Sequence, residues 1–280
     1  MRDETQHVLI CYGGKLGYYH GAKYQIIRNF TWYRQSRICV VTDKPELFDN
    51  YPVRIIPLNE TEMRRWSLGG ANHFGIKIIG LFEAIETADS VIQKSILLDT
   101  DMFWKSDPIK IADKINESTI VFYEDEGPVF GSTNKSIQHY DRALSKKSIN
   151  YGIGRYELTS HSHMWRSSLI GIHHSRKQLL TDAFELFKAL NPLVSAHTIE
   201  QFALGEIARL QKLKIEHAKK LLNDWSSIGR KNYATPVLEE FFIQNGETDF
   251  FRHLAKFQTI KISRPLTTLL KQKIDRFFSK

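Results

Sequence analysis

Residues 96–108 read ILLDTDMFWKSDP, an apolar run that ends in two aspartates separated by one residue. The run 96–98 predicts a buried strand, and Asp99 and Asp101 come where the chain leaves it. Alternate side chains of an extended chain point the same way, so the two carboxylates can converge on one partner. Because neighbouring carboxylates repel each other and are costly to bury, a divalent cation is the partner that we expect.

Oxygen ligands favour Mg²⁺ or Mn²⁺, which proteins commonly hold with one or two carboxylates and the phosphates of a substrate. The motif therefore predicts a metal–diphosphate site at a strand end. The alternative is an ordinary solvated Asp-x-Asp turn. The apolar strand before the motif, and Phe103 and Trp104 after it, favour the metal site.

The segments around this motif alternate between strand-like and helix-like patterns. The pattern predicts strands at 7–14, 37–43, 53–58 and 118–126, and helices at 17–33, 72–88 and 107–115. Such alternation is typical of an α/β domain with a mostly parallel sheet flanked by helices. Ligands of these sheets bind outside the carboxyl ends of the strands, so Asp43, Asp99 and Asp101 are expected to face one crevice.

The second half of the chain continues the same unit. We expect loops at 127–165 and 213–235, a strand at 167–174, and helices at 175–190 and 195–212. The absence of a low-complexity linker favours one domain over residues 1–250, followed by a basic helical tail over 251–280.

Composition excludes several classes of protein. Residues 252–280 hold eight basic residues and one acidic residue, which is nearly all of the net charge of +8, so the main domain lacks the spread of basic groups expected of a nucleic-acid-binding protein. The sequence predicts neither a signal peptide nor a membrane-spanning run, and we expect a cytoplasmic location. Cys11 and Cys39 lie in apolar segments and are predicted to be core residues.

With its elements in this order, the chain resembles the GT-A class of nucleotide-sugar glycosyltransferases, and most of all glycosyltransferase family 8 and its bacterial relatives. The resemblance covers roughly residues 7–245, and ILLDTDMFWKSDP is its most specific motif. It implies a single Rossmann-like GT-A domain in which Mn²⁺ (or Mg²⁺) holds the diphosphate of a UDP-sugar. Asp101 would bind the metal, and Asp99 would share it or contact the sugar and ribose. Retention of the anomeric configuration is also implied.

A second match is HTIEQFALGEI at 197–207, which is similar to the acidic-Gln-x-Ala-Leu segment of the family. The resemblance implies catalytic roles for Gln201, against the sugar, and for Glu200 beside it. An ordinary amphipathic helix is the alternative interpretation. RSSLIGIHH at 166–174 is similar to the family's strand that enters the cleft, with Ser167 and Ser168 at its turn.

A third match is LLNDWSSIGRKNY at 221–233, which resembles the late loop that supplies a metal-binding His in the family. No His is present here, so Asp224 is predicted as the substitute oxygen ligand, and Arg230 and Lys231 as diphosphate ligands. Near the amino end, Tyr12 and Gly13 follow the first predicted strand and are expected to contact the nucleotide. Lys77 is expected to face the nucleotide sugar from a helix.

These features predict a hexosyltransferase that transfers from a UDP-sugar to a glycan or lipid-linked acceptor, in cell-surface polysaccharide synthesis. A sugar nucleotidyltransferase and a degenerate, non-catalytic sugar-binding protein remain alternatives. PLTTLLKQKIDRFFSK at 265–280 predicts a basic amphipathic helix that lies on an anionic inner membrane surface or packs on the domain.

Overall fold

A seven-stranded sheet forms the centre of the protein in a computed structural model that describes residues 4–152, 154–260 and 262. The strands are β1 (Thr5–Cys11), β2 (Arg37–Thr42), β3 (Arg54–Pro57), β4 (Lys94–Leu98), β5 (Met102–Trp104), β6 (Thr119–Pro128), β7 (Ser148–Tyr151), β8 (Gly154–Glu157), β9 (His163–His173), β10 (Lys214–His217) and β11 (Leu222–Asp224). The helices are α1 (Leu16–Trp32), α2 (Glu60–Trp66), α3 (Gly75–Glu86), α4 (Ile109–Ala112), α5 (Lys135–Leu144), α6 (Gln178–Leu190), α7 (Ile199–Leu210), α8 (Ile228–Asn245) and α9 (Phe250–Lys256).

The strand order of the central sheet is β10-β6-β9-β4-β1-β2-β3. Its pairs are parallel except that β9 runs antiparallel to both β4 and β6. The predicted α/β domain with a mostly parallel sheet is therefore confirmed. The chain moves from β1 outward to β2 and β3, and then returns to the other side of β1 as β4. In open α/β sheets this reversal point leaves a crevice at the carboxyl ends of the two strands.

Both faces of the sheet are covered, which explains why residues 96–98 before the motif are all apolar. Leu97 points into the core beneath α3, α6 and α7, whereas Ile96 and Leu98 point into the core shared with α1, α8 and α9. Burial of each such side chain stabilises the fold by about 1.5–3 kcal/mol. Cys11 and Cys39 are buried free thiols, as predicted.

The expectation of loops over 127–165 is wrong. That stretch contains α5 and the β7–β8 hairpin, while β6 and β9 extend into it from either side. Ile137, Tyr140 and Leu144 are buried on one face of α5. Their three- and four-residue spacing is helical, but the polar residues between them hide the stripe.

The expectation of loops over 213–235 is also wrong. β10 extends the sheet beside β6, β11 pairs antiparallel with β5, and α8 begins at Ile228. Arg230 and Lys231 therefore lie in the first turn of a helix. Of the predicted basic tail, α9 packs on α1 through Phe250, while the helix expected at 265–280 lies outside the described residues. Within the part of the chain that the structure describes, no helix is long and apolar enough to span a bilayer.

Candidate functional site

The Asp99–Asp101 motif lies in a tight turn between β4 and β5. The Met102 N–H donates to the Asp99 carbonyl at 3.0 Å, so the two carboxylates converge through a turn and not through the extended chain that the sequence predicted. Neighbouring elements also hold the turn. The Asp99 N–H donates to the carbonyl of Ser168 in β9 at 2.9 Å, and the Trp225 N–H after β11 donates to the Asp101 carbonyl at 2.9 Å.

Helix α1 supports the same turn from below. The buried Gln25 side chain donates to the Asp99 carbonyl at 2.6 Å. Gly21 lies so close that a Cβ there would be 2.3 Å from the Thr100 carbonyl oxygen. Neither residue was predicted, because nothing in a helical sequence shows which of its side chains will face a distant turn. A turn held from three sides is preorganised to present its carboxylates in fixed positions.

Two lysines neutralise the two carboxylates. Lys77 of α3 lies 2.8 Å from Asp99 Oδ1, and Lys231 of α8 lies 2.8 Å from Asp101 Oδ2. Burial and the nearby charge of Asp99 raise the pKa of Asp101, although Lys231 opposes the shift. Lys77 and Lys231, which were expected to contact the nucleotide sugar and its diphosphate, thus lie beside the aspartates and balance their charges.

Glu200 joins this cluster from the first turn of α7. Its Oε1 accepts from Ser167 Oγ at 2.8 Å and lies 3.8 Å from Lys77 Nζ, whereas its buried Oε2 has no hydrogen-bond partner among the described residues. Burial raises the pKa of Glu200, against the opposing charge of Lys77. Gln201 faces away from this cluster, because its amide donates to Glu126 at the end of β6 at 2.8 Å.

A cleft of about 860 Å³ opens beside the aspartates at the carboxyl ends of β1 and β4, which is the size range of small-molecule sites. Beside the acidic Glu60, Asp99 and Asp101, its wall includes aromatic and basic side chains; they are Tyr12, Tyr18, Phe74, Lys15, Arg64, Lys77 and Lys231. Tyr12 is fixed by a 2.8 Å hydrogen bond to the His73 carbonyl. Gly13 has φ +90°, which a glycine adopts without strain, and its N–H donates to Asp43 at 3.0 Å.

Asp224 does not join the Asp99–Asp101 pair. Its carboxylate accepts from Arg166 of β9 at 3.0 Å and from the Ser226 N–H at 2.8 Å. Burial alone would raise the pKa of Asp224, but these hydrogen bonds outweigh it and the pKa lies below its ordinary value. Asp224 and Arg230 line a second cleft of about 670 Å³, in which Arg230 also donates to the Asp224 carbonyl.

The donor set fits a divalent cation of the magnesium type. Hard oxygen ligands are present in Asp99 and Asp101, and such ions complete their coordination with water and substrate phosphates. Over the described residues, no group of three His, Cys, Asp or Glu side chains is placed to hold a metal. Among these residues the site thus offers Asp99 and Asp101, and water and a substrate diphosphate would complete the coordination.

Neither a protein-family model nor a curated protein matches the sequence. Several solved structures superpose on part of this chain. The apo form of mouse xyloside xylosyltransferase 1 is 12% identical over 76% of this chain and 84% of its own, with a TM-score of 0.45. Galactosyltransferase LgtC, in complex with donor and acceptor sugar analogs, is 12% identical over 76% of this chain and 73% of its own, with a TM-score of 0.48.

The bifunctional IspDF from Campylobacter jejuni also overlaps, with 9% identity over 78% of this chain, 50% of its own and a TM-score of 0.38. Glycosyltransferases are thus among the structures to which this chain is similar. Overlaps at this level are partial, and they do not transfer a reaction or a substrate to the chain.

Proposed function

We propose that this chain is a metal-dependent glycosyltransferase that moves a hexose from a UDP-sugar to a glycan or lipid-linked acceptor, in cell-surface polysaccharide synthesis. The observation that carries the proposal is the position of the Asp99–Asp101 turn. It lies at the point where the strand order reverses, on the wall of the largest cleft described above, with a lysine on each carboxylate. Paired carboxylates flanked by cations suit a metal-bound diphosphate.

The cleft suits an anionic nucleotide. Lys15 and Arg64 line it and have no ion-pair partner among the described residues, so they add positive charge to a wall that also carries Glu60. A nucleoside diphosphate supplies the matching negative charge. Tyr12 offers an aromatic face for the base, and Gly13 allows the ligand to approach the backbone.

The reaction breaks the bond between the anomeric carbon and the diphosphate oxygen, forms a bond from that carbon to an acceptor oxygen, and releases the acceptor proton. Negative charge grows on the departing diphosphate. A divalent cation held by Asp99 and Asp101 would neutralise part of that charge when it is bound. Lys77 is fixed beside the same position and Lys231 lies next to it, and both stabilise the leaving group with their own charges.

Glu200 and Gln201 form the acceptor side of the proposed site. The buried Glu200 carboxylate accepts from Ser167 and lies 3.8 Å from Lys77, so it positions Lys77 beside the donor. Gln201, held by Glu126, is proposed to contact the sugar from the Glu126 side. We propose a retaining outcome, with these roles for Glu200 and Gln201.

A donor screen tests this function. Purified full-length protein is incubated with a panel of nucleotide sugars and Mn²⁺, and nucleoside diphosphate release is measured with and without oligosaccharide acceptors. We expect UDP release from a UDP-hexose that requires the metal and increases with acceptor. Pyrophosphate release from UTP and a sugar phosphate would instead indicate a sugar nucleotidyltransferase. Failure to bind or turn over any nucleotide would indicate a non-catalytic sugar-binding protein.

We further propose that the protein acts in the cytoplasm, at the inner face of the membrane, through its basic carboxyl-terminal residues. Each basic residue near an anionic surface contributes about 1 kcal/mol of binding. Full-length protein should therefore co-sediment with anionic vesicles more strongly than a variant in which Lys271, Lys273, Arg276 and Lys280 are all replaced by glutamine. Equal sedimentation would reject the membrane role.

A further inference from the structure

Lys77 and Lys231 hold their aspartates in different ways. Lys77 is only 13% exposed, and Asp99, Glu200 and Ser167 surround its ammonium group. Lys231 is 42% exposed and, within the described part of the chain, Asp101 is its sole ion-pair partner. Lys77 is therefore a fixed cation, whereas Lys231 is held by a single, solvent-accessible contact.

The Asp101 carboxylate that Lys231 contacts is also one that the proposed divalent cation would bind. An ammonium group 2.8 Å from Asp101 Oδ2 occupies the approach to that oxygen, and its charge repels a second cation. A metal ion and Lys231 therefore compete for one carboxylate.

We propose that Lys231 is an exchangeable counter-ion, which occupies Asp101 until a divalent cation arrives and is then released to bind the diphosphate. The inference rests on the proposed function, because it takes the metal–diphosphate site as given. The position of Lys231 suits the exchange, because Lys231 lies in the first turn of α8 and lines the 860 Å³ cleft beside the aspartates. A lysine side chain has enough rotatable bonds to leave Asp101 without a movement of the helix.

The exchange couples metal binding to nucleotide binding. Without nucleotide, a metal ion has to displace Lys231 from its partner. With nucleotide present, the diphosphate supplies Lys231 with a new partner, so the metal binds more tightly. By linkage, the metal increases nucleotide affinity by the same factor.

The test is a Mn²⁺ titration followed by electron paramagnetic resonance, which measures free Mn²⁺ without any turnover. In the absence of nucleotide, Lys231→Gln should bind Mn²⁺ about three- to tenfold more tightly than the unsubstituted protein, as expected when one half-exposed ion pair and its charge repulsion are removed. UDP should increase the Mn²⁺ affinity of the unsubstituted protein more than that of Lys231→Gln. Lys231→Arg, which keeps the charge, should behave like the unsubstituted protein.

Lys219→Gln is the matched control, because Lys219 is an exposed lysine paired with Glu124 in the second cleft. It should leave Mn²⁺ affinity unchanged. If Lys231→Gln binds Mn²⁺ no more tightly than the unsubstituted protein, the exchange is wrong while the metal site stands. If the unsubstituted protein binds no Mn²⁺ with or without UDP, both the exchange and the metal-dependent function are wrong.

Discussion

Replacement of Lys77 by methionine tests the electrostatics of the site at a position where the fold depends on them. Lys77 Nζ lies 2.8 Å from Asp99 and 3.8 Å from Glu200, and the Glu200 side chain is 3% exposed. Burial alone would lower the pKa of Lys77, but the charges of Asp99 and Glu200 outweigh it and raise the pKa. Methionine matches the apolar part of the lysine side chain and removes the charged group.

Removal of one partner from a buried ion pair costs about 3–5 kcal/mol, because the other charge stays buried without compensation. Asp99 is 29% exposed and gains water, so the cost falls mainly on Glu200. We therefore expect Lys77→Met to lower the free energy of unfolding by about 2–4 kcal/mol near neutral pH. Burial already raises the pKa of Glu200, so this carboxyl takes up a proton more readily when folded, and the cost should shrink as the pH falls.

Urea unfolding followed by tryptophan fluorescence measures this cost. The double variant Lys77→Met/Glu200→Gln should recover part of it, because the amide removes the uncompensated charge. Lys94→Met is the control. The Lys94 side chain is also 13% exposed, but among the described carboxylates it contacts only Glu4, which is 33% exposed. If Lys77→Met is no more destabilising than Lys94→Met, or if Glu200→Gln recovers nothing, the electrostatic account of this cluster is wrong.

Two further predictions concern the supports of the site and the pH dependence of the fold. Gly21→Ala should destabilise the protein by about 1–3 kcal/mol and weaken UDP binding, because its Cβ would meet the Thr100 carbonyl oxygen at 2.3 Å. Gly17→Ala in the same helix meets only a Thr235 methyl group and should do less in both assays; equal effects would refute the role of the turn. Burial lowers the pKa of His7 to about 3, so this histidine is neutral when folded, and stability should fall as the pH decreases below the unfolded value of about 6.5. Between about pH 4 and 6.5, the free energy of unfolding of His7→Gln should change less steeply with pH than that of the unsubstituted protein, whereas exposed His161→Gln should behave like the unsubstituted protein. Equal slopes for His7→Gln and the unsubstituted protein would contradict this assignment.

Much of the fold is readable from the sequence because its signals are local. The apolar runs that became β2 and β4 are bounded by aspartates, and parallel strands bring such ends to one edge of a sheet. That rule predicts that Asp43, Asp99 and Asp101 face one crevice; Asp99 and Asp101 line the cleft, whereas Asp43 accepts from the Gly13 N–H and the Tyr19 hydroxyl. Lys77 was expected only from the family resemblance. Helix α5 was not predicted, because its ten residues are mostly polar and only three of them are buried.

The rest of the site depends on contacts that no local pattern records. The β5–β11 pairing brings Asp224 opposite Met102 in register, but Arg166, from a different strand, captures its carboxylate. Arg230 and Lys231 are neighbours in sequence, yet they line different clefts because successive side chains in the first turn of α8 point in directions about 100° apart. The sequence shows that both side chains are positively charged, but it does not show which cleft each of them lines.

The most direct test of the central claim is calorimetric titration of UDP, with and without Mn²⁺, into the unsubstituted protein, Asp101→Asn and Asp224→Asn. The two substitutions are chemically identical, but one removes a carboxylate of the proposed metal pair and the other removes the partner of Arg166. We predict that Mn²⁺ strengthens UDP binding to the unsubstituted protein and to Asp224→Asn, and that Asp101→Asn loses this metal dependence. UDP binding by Asp101→Asn with undiminished dependence on Mn²⁺ would contradict the account.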